Sequence, residues 1–120
     1  MLARAERLVS AADYKRVVRR GRRSSTGTIT AYAVVAEANA PWRFGFIVSK
    51  TVGNAVVRNR VRRRLKAICH TLDATHQTDR SFDIVLRAHP QSAHAGFGEL
   101  EGDVMHLVDR VTASRNEVSR

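Results

Sequence analysis

Five apolar residues, Val57, Val61, Leu65, Ile68 and Leu72, recur at offsets of four, four, three and four through the most cationic stretch of the chain. At ~100° per residue they fall within an arc of about 80°, so residues 55–72 are predicted to form a helix with one narrow buried stripe. Around the rest of its circumference stand Arg58, Asn59, Arg60, Arg62, Arg63, Arg64 and Lys66. A disordered basic tail would not keep such a register. A surface made almost wholly of arginine repels itself unless something anionic lies against it, and a phosphate backbone is the leading candidate. Arg60 and Arg64 lie one turn apart on one flank of the stripe, and Arg58 and Arg62 on the other. One helix can therefore touch phosphates on two sides while its stripe holds it to a sheet.

Charge along the chain agrees. The formal net charge is +10, and it is unevenly placed. Residues 1–66 hold 16 Lys and Arg against three acidic residues, whereas residues 67–120 hold five Arg against eight. That asymmetry predicts a directed basic surface, with nucleic acid as the favoured partner class. An anionic membrane surface fits less well, because the basic helix lacks a Trp- and Phe-rich apolar face. No stretch is long and apolar enough to span a bilayer, and Met1-Leu2-Ala3-Arg4-Ala5-Glu6 has no signal-peptide core. The single Cys69 excludes an internal disulfide framework and suits a reducing, cytoplasmic setting. With 120 residues, 43% of them hydrophobic, the chain is expected to be one domain over residues 1–111, followed by a polar tail over 112–120.

The remaining elements are short. Ser10 and Asp13 resemble a capping box, and the helix they open is expected to stop at Gly21 in a left-handed cap. Tyr14, Val17 and Val18 share one face of that helix, with Lys15, Arg16, Arg19 and Arg20 on the remainder. Residues 26–36 are rich in β-branched and aromatic side chains and read as a strand. Residues 37–41 form a turn, and residues 42–49 a second strand with Phe44, Phe46 and Val48 on one face and Ile47 on the other. Gly53 ends it, and Asn54 is placed to cap the basic helix. After a loop over residues 73–81, residues 82–88 read as a third strand. Residues 90–96 are loop, and a last helix over residues 97–111 turns Leu100, Val104, Leu107, Val108 and Val111 inward. The order α-β-β-α-β-α, without an internal linker or repeat, indicates a single two-layer domain of the α+β class.

No constellation for protein-based catalysis emerges. His70, His76, His89, His94 and His106 are scattered, with neither a metal-binding spacing nor a cysteine pair, and read as surface or loop residues. Cys69 beside the apolar stripe reads as a small buried hydrophobe. Asp83, Glu99, Glu101, Asp103 and Asp109 are assigned to strand edges and an exposed helix face, where solvation accounts for them. Neither a catalytic residue nor a protein metal ligand is expected. Phe44 and Phe46 read as core. Tyr14 and Tyr32 are candidates for an open sheet face flanked by cations, an arrangement that holds single-stranded nucleic acid by stacking and phosphate attraction.

The segment Phe44-Gly45-Phe46-Ile47-Val48-Ser49-Lys50-Thr51-Val52-Gly53-Asn54-Ala55-Val56-Val57-Arg58-Asn59-Arg60-Val61-Arg62-Arg63-Arg64-Leu65 resembles the signature of the protein subunit of bacterial ribonuclease P. In that family a strand ending in VSK leads through a G-N/K-AV turn to an RNR helix. Asp13-Tyr14-Lys15-Arg16-Val17-Val18-Arg19-Arg20-Gly21 is similar to the family's first helix, and Phe82-Asp83-Ile84-Val85 to its DIVV strand. Phe97-Gly98-Glu99-Leu100-Glu101 is similar to the start of its last helix. The likeness spans about residues 8–111.

The resemblance implies an RNA-binding cofactor of a ribonucleoprotein that removes the 5′ leader from precursor tRNA, with the catalytic centre and most Mg2+ binding supplied by RNA and substrate. It implies that Arg58, Asn59, Arg60, Arg62, Arg63, Arg64 and Lys66, with Lys50 nearby, contact the catalytic RNA. A cleft lined by Tyr14, Val18 and Tyr32, with Lys15 and Arg19 beside it, would receive the leader. Val18 departs from the family pattern, which has an aromatic residue there; valine packs but stacks poorly. A monomeric protein in a one-to-one complex with the RNA is implied. So are a fourth strand, placed within residues 22–28, and a left-handed β-α-β crossover against the usual hand. Without the resemblance, a basic αβ domain leaves open a structural or ribosome-associated RNA-binding protein with no part in cleavage.

Overall fold

A computed structural model describes residues 7–37, 40–75 and 80–113 of the chain, with the side chains of residues 73–75 left aside. Residues 38–39 of the expected turn, His76, part of the loop assigned to 73–81 and the tail from 114 onward lie outside the described residues. The element order is α1 (Ala11–Arg20), β1 (Arg22–Ser25), β2 (Ile29–Val35), β3 (Arg43–Ile47), α2 (Ala55–Thr75), β4 (Phe82–Ala88), a 3₁₀ helix (Pro90–Ala93) and α3 (Phe97–Thr112). The domain is α+β, with a four-stranded mixed sheet and three helices. The fourth strand is β1, split from the longer stretch by the turn around Gly27.

Local signals account for most boundaries. Ser10 Oγ accepts from the Asp13 N–H at 3.0 Å, which starts α1 as the capping pattern requires. Gly21 ends it by a different route from the one expected. Its backbone is extended, at φ −76° and ψ 155°, not left-handed. Glycine is required because a Cβ there would lie 2.9 Å from the Ala33 carbonyl oxygen and closer still to that of Val17. Asn54 caps α2, its side-chain oxygen accepting from the Val57 N–H at 3.0 Å. α2 runs to Thr75, three residues past the end of its apolar stripe.

The strand order is β1-β2-β4-β3. β4 pairs antiparallel with β2 and parallel with β3, so α2 is the crossover that carries the chain from β3 to its parallel neighbour. Central placement explains why β4 is buried along almost its whole length: apart from Arg87, its side chains are covered, Asp83 among them. Edge strand β1 alternates between half-buried and exposed residues instead.

Each face of the sheet has its own core. On one, Ile29, Ala31, Phe44, Ile84 and Leu86 pack with Val61, Leu65, Ile68 and Leu72 of α2 and Leu100, Val104, Leu107, Val108 and Val111 of α3. Cys69 belongs to this core and is fully buried. Burial pushes its thiol well above the usual range. On the other face, Tyr32 and Val85 pack with Leu8 and with Val17 of α1, joined at the margin by Tyr14, Val18, Val34 and Ile47. The α2 stripe thus spends its apolar side on the sheet, which leaves its cations facing outward.

Two acids sit differently from their sequence assignment. Asp83 is 2% exposed in the central strand, and Asp103 accepts a hydrogen bond from Thr28 Oγ1 across the α3–β2 contact. A strand residue is an edge residue only if its strand is, and β4 lies inside the sheet.

Candidate nucleic-acid interface

Arg63, Asn59 and Lys50 are exposed, while Arg58, Arg60, Arg62, Arg64 and Lys66 are half-buried along the flanks of α2. The flanks have different partners. Arg60 donates to the Ala93 carbonyl at 3.3 Å and Arg64 to the Ala95 carbonyl at 3.1 Å, so this flank holds the loop before α3. On the opposite flank Arg62 donates to Asn59 Oδ1 at 3.0 Å. Among the described residues, none of these α2 cations has a carboxylate within ion-pair distance. The Nε groups of Arg58 and Arg60 are buried without a hydrogen-bond partner.

Arg62 and Lys66 belong to two concavities at once. One, of about 420 Å³, is completed by Val56, Asn59 and Arg63. The other, of about 180 Å³, is shared with Arg7, Leu8, Tyr14 and Phe46. The fold therefore brings Tyr14 of α1 to the basic flank of α2, although the two are far apart in sequence. Leu8 lies at this junction because its N–H donates to the Phe44 carbonyl at 2.8 Å, pairing the chain before α1 with the outer edge of β3.

The other predicted cleft residues are spread over the face that carries α1. Val18 is half-buried at its margin; Lys15 and Arg19 are exposed on the helix. Tyr32, expected on an open sheet face, is only 6% exposed because Val17 and Val85 close over it. Two cations on this face escape a reading by motif. Register places Arg23 opposite Tyr32, and Arg87 opposite Thr30 on one side and Ile47 on the other. Both are exposed. The period of two through Asp83, Val85 and Arg87 is the signal that puts Arg87 on the Tyr32 face.

A separate charge cluster lies beneath α1. Arg16 Nη2 is 2.6 Å from Asp83 Oδ2, and Arg43 reaches the same carboxylate through Nε at 3.0 Å and Nη2 at 2.8 Å. Asp13 adds a weaker contact to Arg16 at 3.3 Å. Burial by itself would raise the Asp83 pKa, but the hydrogen bonds from Arg43 and Arg16 outweigh it and hold the carboxyl below its usual range. Hydrogen bonding to Asp83 raises both arginines against the opposing effect of burial. A concavity of about 720 Å³ borders this cluster, where the positive charge is already matched.

Among the described residues no three His, Cys, Asp or Glu side chains converge on a point that would hold a metal ion, and no helix is long and apolar enough to cross a membrane. A mixed four-stranded sheet backed by an arginine-faced crossover helix defines a small basic α+β protein with a cationic face of the kind that suits a polyanionic partner. Comparison with known proteins narrows the class. The ribonuclease P family model matches residues 2–112. The ribonuclease P protein component of Clavibacter michiganensis subsp. michiganensis is 46% identical over 110 residues, covering 92% of this chain and 96% of that protein. That of a Nocardioides species is 39% identical, covering 94% and 97%. The ribonuclease P protein of Staphylococcus aureus has the same fold at a TM-score of 0.76 and 22% identity, covering 88% of this chain and 94% of that one. That of Thermotoga maritima aligns at a TM-score of 0.74 and 18% identity, covering 90% and 99%. The chain belongs to the ribonuclease P protein family, the protein components of a tRNA-processing ribonucleoprotein.

Proposed function

We propose that the chain docks on the catalytic RNA of ribonuclease P through α2 and receives the 5′ leader of precursor tRNA in the cleft between α1 and the sheet. The observation that carries this reading is the set of α2 cations without carboxylate partners among the described residues. Their apolar neighbours are committed to the core, so the charges face a partner outside the chain. Arginine suits that partner: its guanidinium stays ionised and its planar fork matches phosphate oxygens.

Two polyanions must come together for the RNA to act on its substrate. Cations fixed between them take over part of the screening that Mg2+ would otherwise supply, which raises substrate affinity and lowers the magnesium needed. The protein's side chains bind and orient; the bond-breaking chemistry and the magnesium ions belong to the RNA and its substrate. Exposed Lys15, Arg19 and Lys50 extend the phosphate-facing surface, while Tyr14 and Val18 supply the apolar wall against which leader bases lie, with buried Tyr32 supporting it from beneath. The complex contains one protein per RNA, in the cytoplasm.

The test is reconstitution. Purified protein is added to the catalytic RNA, and leader removal is measured at physiological magnesium with precursor and mature tRNA as ligands. The expected outcome is accelerated cleavage and tighter binding of precursor than of mature tRNA. Equal affinity for both would favour a structural RNA-binding role with no leader recognition.

A further inference from the structure

We propose that Asp83 is the positioning residue of the leader cleft: through Arg16 it fixes the roll of α1 on the sheet. The inference rests on the leader reading above, and its argument is geometric. α1 touches the sheet through a narrow contact, with Val17 as its one fully buried residue. A ten-residue helix with one buried valine, flanked by half-buried Tyr14 and Val18, needs further ties to fix its roll about that contact. Arg16 and Tyr14 lie on opposite flanks of Val17, roughly 160° apart around the helix. Each reaches a different strand. Tyr14 Oη accepts from the Phe46 N–H of β3 at 3.0 Å, and Arg16 donates to Asp83 of β4 at 2.6 Å. Two ties on two strands, one on each side of the pivot, set the helix at one angle.

The β4 tie is the stiffer of the two. Asp83 is 2% exposed, and Arg43 grips it with two hydrogen bonds from the neighbouring strand, so its carboxylate cannot swing to follow α1. The residue two places along β4 is Val85, paired with Tyr32, and the next on that face is Arg87. The carboxylate that ties α1 is thus on the same sheet face as the buried Val85–Tyr32 pair that α1 covers and as exposed Arg87 beyond it. Arg16 spends its charge on this contact; its task is to hold the cleft wall, and phosphate binding falls to its neighbours.

The experiment compares variants in complex with the catalytic RNA. Arg16→Met is the principal one, because it leaves Asp83 paired with Arg43 and so spares the sheet. Affinity for the catalytic RNA is expected to stay within about twofold of the parent. The preference for precursor over mature tRNA is expected to fall roughly tenfold, equivalent to about 1.4 kcal/mol. Arg43→Met removes the same charge from the same carboxylate, together with its grip on Asp83 and a long 3.9 Å contact to Asp13 of α1, but leaves the direct 2.6 Å Arg16 tie, and should lose less of the preference than Arg16→Met. Arg16→Lys, which keeps a donor for Asp83, should recover part of it. A folded Arg16→Met protein, shown by its thermal melt, that kept the parental preference would overturn the inference alone. Equal losses in Arg16→Met and Arg43→Met would also overturn it, since the Arg16 tie would then have no position-setting part of its own. A parent with no preference for precursor tRNA would overturn the leader reading and this inference together.

Discussion

The hydroxyl of Tyr14 accepts a hydrogen bond from the backbone N–H of Phe46 at 3.0 Å, on the outer edge of the sheet. The ring above that hydroxyl lies over Gly45, where a Cβ would come within 2.8 Å of three Tyr14 atoms. A glycine inside a strand is explained here by the approach of a side chain from the helix above. Gly45→Ala should push the ring away and cost about 1–3 kcal/mol by overpacking. Tyr14→Phe should cost about 1–2 kcal/mol by leaving the Phe46 amide without its acceptor. Because both act on one contact, urea unfolding of the double variant should show a loss smaller than the sum. Simple additivity would mean that the two residues do not depend on each other.

The two flanks of α2 should separate in their effects. Arg60 and Arg64 hold the carbonyls of Ala93 and Ala95, so replacing both by alanine should cost about 1–2 kcal/mol of stability. The same variant should process precursor tRNA poorly at limiting magnesium. Arg62→Ala with Arg63→Ala should change stability by about 0.5 kcal/mol or less. With about six phosphate contacts, the parent's log affinity for RNA should fall with log salt at a slope near −4 to −5, and the Arg62/Arg63 variant's slope should be shallower by about 1.5 to 2. A parent slope near zero would contradict a phosphate-dominated interface.

Acid should loosen α1. The Asp83 carboxyl has its folded-state pKa below the unfolded value, so its contribution is present above about pH 4 and disappears as pH falls through the lowered value. Asp83→Asn should therefore be less stable than the parent at pH 7 by about 2–3 kcal/mol, short of a fully buried pair because Arg16 and Arg43 are each about a third exposed. The gap between the two proteins should narrow as pH is lowered from about 4 toward 2. Denaturant titrations across that range measure it; a constant gap would show that the charge of Asp83 is not what stabilises α1.

Cys69 should report on the main core. Its thiol is fully buried in the core that α2 shares with the sheet and α3, and burial raises its pKa well above normal, so little thiolate forms and no reagent reaches it. Labelling by a thiol reagent should proceed only as fast as the core opens, and should accelerate in urea in step with global unfolding. Fast labelling in native buffer would show that this core opens locally at α2.

Strictly local information is legible in the chain. The α2 stripe, the Ser10 and Asn54 caps and the inward residues of α3 all follow from the 3.6-residue helical period and from the need to satisfy free amides at helix starts. The alternation of Phe44, Phe46 and Val48 follows in the same way from the period of two in a strand. Gly21 marks the right boundary, but the reason is non-local: the backbone of β2 passes too close for a Cβ.

Period reveals which residues share a face and is silent on what that face meets. Nothing near residues 82–88 states that this strand lies between β2 and β3, yet that placement buries Asp83 and turns an apparently solvated acid into the seat of α1. The same insertion brings Val85 beside Tyr32, and α1 then closes over both, so a tyrosine that reads as open is covered. Arg16 and Asp83 stand 67 positions apart, and only the folded sheet makes them neighbours. The sequence by itself determined a basic helix with one apolar side and the family to which it belongs, because those depend on spacing along the chain. The tertiary structure decided which arginines are held by carbonyls or carboxylates and which have no carboxylate partner among the described residues, because a charge is matched by whatever packing brings near it.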